Sequence, residues 1–252
     1  MTRENKFDLY YGVSATGSGN GKRSNFEPPG HFESEHLSLS GSANVENATA
    51  RHIHISGSAT ITNEVKSETL DCSGSVHAGG NITSSSISVS GSLNSGGSVR
   101  SLNFHSSGSC RVAQLIYGES EVKCTGSIKA ARIESAGAVD IAGSVHSDSV
   151  RAANAKVDGG GSIGSLTCDT ASINKKVGGR GALFLPFMRK RSKLSIDRLV
   201  ATGRVDADHC TVGDITADSV YVGRDCTVGR IRFKTDCRIE QGAEISQKPQ
   251  KV

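Results

Sequence analysis

His52 and His54 alternate with Ile53 and Ile55, so on an extended segment both imidazoles leave the same outward face. Such a pair can share a metal ion, but without a third ligand it is a weak metal signal. Asp71, one repeat further on, reads as a surface partner of His54. Seven cysteines (Cys72, Cys110, Cys124, Cys168, Cys210, Cys226 and Cys237) contain no C-x-x-C pair. An odd number without a secretory leader reads as reduced thiols in the cytoplasm, and Cys72, Cys110 and Cys124 fall in apolar columns, as small buried residues do. Among carboxylates, Asp140 and Asp158 fall next to each other in one outward column, with no arginine or histidine beside them there. Polysaccharide lyases and hydrolases need a richer carboxylate cluster for acid–base work. The spacing in VYVGRDCTVGRI approaches the hexapeptide pattern of acyltransferases, but the other turns do not sustain it. No column assembles an acid, a base and an electrophile, so the expectation is a protein without catalytic centre or cofactor.

The most distinctive local feature is a stretch without repeat, NKKVGGRGALFLPFMRKRSK, at residues 174–193. In it Leu183, Phe184, Leu185, Phe187 and Met188 run directly into Arg189, Lys190 and Arg191. Bulky apolar residues beside cations can sit at an anionic membrane surface or contact a partner; the same segment can instead fold back over an open face. The net charge of +4 is spread along the chain, and aromatics make up 4% of it, so a nucleic-acid groove is not expected. The N-terminus lacks the apolar core of a secretory signal.

These residues are positioned by a repeat. Gly-Ser pairs recur with glycines at Gly41, Gly57, Gly74, Gly91, Gly108, Gly126, Gly143 and Gly161, in steps of 16 to 18 residues. Four residues before each glycine stand Leu37, Ile53, Leu70, Ile87, Phe104, Val122, Val139 and Val157. Two residues after it stand Ala43, Ala59, Val76, Leu93, Cys110, Ile128, Val145 and Ile163. A looser third set runs through Val65, Ile82, Val99, Leu115, Ile133 and Val150. Apolar residues two apart with polar ones between are strands with one buried face. A period near seventeen accommodates three short strands and three corners, so the expectation is an all-β parallel β-helix. The serines after the glycines, Ser42 through Ser162, should form a hydroxyl ladder.

The chain divides into a polar flexible tail (1–35), a first helical block (36–173), the insertion (174–193), a second block (194–247) that resumes at Leu199, Ala201, Gly203 and Val205, and a short tail (248–252). The second block carries a resemblance. Val212-Gly-Asp-Ile-Thr-Ala-Asp-Ser-Val-Tyr-Val-Gly223, Cys226-Thr-Val-Gly-Arg-Ile231 and Arg238-Ile-Glu-Gln-Gly-Ala-Glu-Ile245 are similar to the bactofilin family, specifically over about 195–247 and generically over 36–173. The resemblance implies a right-handed β-helix that polymerises end to end without nucleotide. It also implies a bacterial cytoskeletal role in the cytoplasm, often peripheral at the inner face of the cell membrane, positioning other proteins.

A β-helix ends in a rung whose backbone groups need capping or pairing. No cap pattern flanks Leu37 and Leu39 at one end, or Phe233, Ile239 and Ile245 at the other. Both ends are therefore expected to be open, with these five residues as the self-assembly contacts.

Overall fold

The computed structural model describes residues 10–11, 33–174 and 193–252; the apolar and basic residues Leu183 to Arg191 lie outside them. Among the described residues there is no helix, and every paired strand runs parallel to its neighbours. The strands stack as a β-solenoid of about twelve turns. At about 4.8 Å per turn the stack is roughly 55–60 Å long.

One turn shows why the sequence closes on itself. Ser58–Ile61 buries Ala59 and Ile61 and forms the first side. Val65–Cys72 supplies the other two, because its ladder to the next turn skips Glu68. Alternation would keep residue 69 inside after Ser67; the skipped residue turns the chain so that Leu70 and Cys72 point inward instead. Each turn thus sends three pairs of residues into a narrow core. No single turn could bury them alone, so the stack is cooperative with its neighbours.

The Ser-Gly corner works by close approach. The carbonyl of each corner glycine points along the stack and accepts the N–H of the serine one turn on, as from Ser92 to Gly74 (2.9 Å) and Ser109 to Gly91 (3.0 Å). A Cβ on Gly91 would lie 1.8 Å from the Gly74 carbonyl oxygen. Only glycine leaves room for that oxygen.

Register corrects several sequence assignments. The corner glycine stacked on Gly143 is Gly159, not Gly161. Gly161 pairs instead with Val145 in an inward position, at φ +123. Val157 consequently stacks on Ile141 rather than on Val139, Ile163 on Ser147, and Ser162 on His146, so the hydroxyl ladder stops at Ser144. In the looser column Ile116, not Leu115, bridges Val99 and Ile133; a bulge between Val112 and Leu115 absorbs the extra residue. Gly203 marks the corner between the second and third sides, where it stacks on Asp169. The Ser-Gly corner is replaced in the later turns by left-handed residues: Asn174 (φ 48), His209 (φ 51), Asp225 (φ 56) and Gly242 (φ 99). Asn, Asp and Gly tolerate that conformation best.

The two blocks are adjacent turns of one stack. Gly160–Cys168 pairs directly with Leu194–Ala201, Ile163 opposite Ile196 and Leu166 opposite Leu199, and Thr170–Ile173 pairs with Arg204–Ala207. Both flanking tails contribute strands: Tyr10–Tyr11 pairs with Ser38–Leu39, and Gln250–Lys251 with Arg232–Phe233.

Candidate functional site

A solenoid offers two kinds of surface, its lateral columns and its ends. The outward column that contains His54 reads Ser38, His54, Asp71, Ser88, His105, Lys123, Asp140, Lys156 and Ser172. Asp158 is not in it. Lys156 stands directly over Asp140, and its ammonium reaches Asp140 (3.8 Å) and Asp158 (3.4 Å). The two carboxylates that seemed adjacent are therefore bridged by a cation, because the turn from Gly143 is sixteen residues long rather than eighteen. His54 and Asp71 are opposite in register. His52 stacks on His36 with ring centroids 4.9 Å apart, and its Nδ1 hydrogen-bonds the Thr69 hydroxyl (2.8 Å). Among the described residues no three His, Cys, Asp or Glu side chains converge as a metal site would require.

Six of the seven thiols are core residues, and Cys237 is half-buried. Burial pushes Cys110 well up, and Cys168 up to about 12 with Asp169 adding to it. Cys210 and Cys226 stack with sulfurs 3.6 Å apart. That hydrogen bond and burial push the Cys210 thiol upward, so it stays protonated at neutral pH. None has the electropositive, accessible setting that activates a nucleophilic cysteine.

The two ends differ. Leu37 and Leu39 are each only 2% exposed, and Tyr10–Tyr11 lies along Ser38–Leu39 as an added strand. The expectation of two open ends is corrected here: a strand from the N-terminal segment covers part of the first turn. At the other end Ile239 is 37% exposed, whereas Val222, its partner one turn below, is 0% exposed. Phe233, Cys237, Ala243 and Ile245 pack against the core only partly buried. Among the described residues Asp236–Ile239 has a strand neighbour on one side only, the Ser219–Val222 side. Among the described residues three large apolar side chains are exposed, and two of them, Ile239 and Val252, lie at this end of the stack.

Charge and hydrogen bonds frame the same end. The Tyr221 hydroxyl donates to Glu240 Oε1 (2.5 Å), and Arg224 Nε lies 3.5 Å from Glu240 Oε2. The Tyr221 hydrogen bond, helped by Arg224, holds the Glu240 carboxyl below its ordinary range, and the same bond raises Tyr221.

Sequence reasoning missed a lateral groove of about 410 Å³ lined by Arg198, Val200, Asp214, Thr216, Arg230 and Arg232. Its signal was present: Arg198, Asp214 and Arg230 recur at steps of sixteen, which stacks them. A period fixed at seventeen hides it.

Comparison of the chain with family models, curated proteins and solved structures finds no significant match.

Proposed function

We propose that this chain is a non-enzymatic scaffold of bactofilin-like character, which self-associates through the end of its stack without nucleotide and holds other proteins in place. The observation that carries this reading is the last rung: an apolar, in-register strand edge at Ile239 where every earlier turn is covered. A second copy supplies what that edge lacks, strand pairing for Asp236–Ile239 and cover for Phe233, Ile239 and Ile245. A lateral surface of mixed charge, with six of the seven thiols buried, supports a holding role over chemistry. The unequal ends favour a specific form of it. The smallest assembly is a two-fold pair joined at the Ile239 ends, and growth into a filament requires the Leu37 end to open or to accept a strand beyond Tyr10–Tyr11. Placement at the inner face of the membrane, through Leu183 to Arg191, is part of the same proposal; among the described residues no helix is long and apolar enough to cross a membrane.

Light scattering coupled to size-exclusion chromatography, with electron microscopy, tests this in nucleotide-free buffer. Wild-type protein is expected as dimers or longer assemblies, and Ile239→Arg and Phe233→Arg as monomers with unchanged β-sheet circular dichroism. A wild-type chain that stays monomeric across salt and concentration would sink the self-association claim.

A further inference from the structure

The lateral groove of the later turns combines a fixed ion pair with two unused cations. Arg198, Asp214 and Arg230 stack on three successive turns, and Val200, Thr216 and Arg232 stack beside them. Asp214 is engaged by Arg230, whose Nε lies 3.8 Å from Oδ1 and also donates to Gln247 Oε1 (3.0 Å). Among the described residues no carboxylate pairs with Arg198 or Arg232, which flank the Thr216 turn from below and above. Between them the apolar contribution is the half-buried Val200, directly below Thr216. The groove therefore presents two guanidinium groups, a hydroxyl donor and one apolar side chain, Val200, in about 410 Å³.

We infer that this groove binds a phosphate monoester group across Arg198, Thr216 and Arg232. After Asp214 and Arg230 offset each other, the local charge is two positive units. A monoester carries about −1.5 to −2 at pH 7 and three acceptor oxygens, against one charge on a carboxylate. Guanidinium forks fit such oxygens with paired N–H donors, and Thr216 can donate a further hydrogen bond. The β-ladder holds the two arginines two turns apart, roughly 10 Å along the axis, a span that their long side chains close from both sides. The ligand can be a free phosphate compound or a phosphorylated side chain of a partner.

Isothermal titration with inorganic phosphate, at constant ionic strength set by chloride, tests the assignment. A phosphoserine peptide and its unphosphorylated twin separate the two sources. Phosphate is expected to bind wild-type protein, more tightly at pH 7.5 than at pH 5.5, since the doubly charged anion predominates only at the higher pH. Acetate at the same ionic strength should not compete. Arg198→Gln and Arg232→Gln should each weaken binding about tenfold, the loss of one charge-assisted hydrogen bond. Asp214→Asn, which frees Arg230, should tighten it. Phosphate binding no better than chloride, or unaltered by Arg198→Gln and Arg232→Gln, overturns the proposal. Because the groove lies on the side of the stack, Ile239→Arg protein should bind phosphate as wild type does, which separates this result from that of self-association.

Discussion

At the scale of single residues, the corner glycines and the few polar groups inside the core carry the most information. The carbonyl of one corner glycine occupies the space a Cβ on the next would need, 1.8 Å at Gly91 and at Gly159. Gly91→Ala is therefore expected to lower stability by about 3 kcal/mol, an overpacking cost, read as a fall in the urea midpoint; a shift no larger than that of an exposed serine-to-alanine change would contradict the close stacking. Interior serines remain because they bond to corner carbonyls: Ser95 Oγ donates to the Gly80 carbonyl (2.9 Å) and Ser147 Oγ to that of Ser149 (2.9 Å). Ser106 is the exception, buried between Val89 and Cys124 with only the weak thiol contact for its hydroxyl. At the last corner, Tyr221 and Glu240 give a pH signature with a definite sign. Glu240 is depressed on folding, so its contribution is present above the unfolded value of about 4.3 and is lost as pH falls through the folded value. Tyr221 is raised, so its contribution holds below about pH 10 and fades as pH rises further. Tyr221→Phe should thus be less stable than wild type near pH 7, with the gap narrowing toward pH 3 and again above pH 10. A gap independent of pH in urea unfolding would show that the hydrogen bond is not its source.

At the scale of elements, the unit is the turn and not the strand. Ser75, Val76, His77 and Ala78 stand opposite Ser92, Leu93, Asn94 and Ser95, and Ile82–Val89 is matched in the same way by Val99–Ser106. Removing residues 75–91, one whole turn, joins Gly74 to Ser92 and leaves every remaining side chain in its column. That deletion is expected to fold, with β-sheet circular dichroism and a cooperative urea transition a little below wild type. Removing only residues 75–82 places outward residues in the core, and this chain should be insoluble or unfolded. Equal behaviour of the two deletions would mean that columns do not set the fold. The bulge after Val112 and the sixteen-residue turns of the second block show how much variation the stack accepts: extra or missing residues sit at corners, where no inward side chain is displaced.

At the scale of the whole molecule, one continuous core runs through both blocks, so the segment 175–192 interrupts the chain but not the stack. Burial along that core is nearly complete until the last rung, where Ile239 meets solvent. The difference between the two ends fixes what self-association can look like. An assembly joined only at the Ile239 end closes as a pair, and scattering mass distinguishes that outcome from a filament directly. The phosphate groove, on the side of the later turns, stays accessible in either form.

The sequence by itself determined the fold class, the approximate period and most of the inward columns, because a stack repeats its side-chain environment every turn and the chain records that repetition. It also placed Ile239 and Ile245 at the end of the stack, where Ile239 pairs with Val222 and Ile245 with Val228. Register within a period was decided only by the tertiary structure. Two glycines two residues apart, Gly159 and Gly161, both satisfy a Gly-Ser pattern read at seventeen, and only the fit of one backbone carbonyl against the next turn selects Gly159. From that choice follow the bridging of Asp140 and Asp158 by Lys156 and the loss of Ser162 from its ladder. The covered state of Leu37 and Leu39 was equally illegible, since Tyr10–Tyr11 joins the stack across more than twenty intervening residues, and no periodicity links a single two-residue strand to its partner.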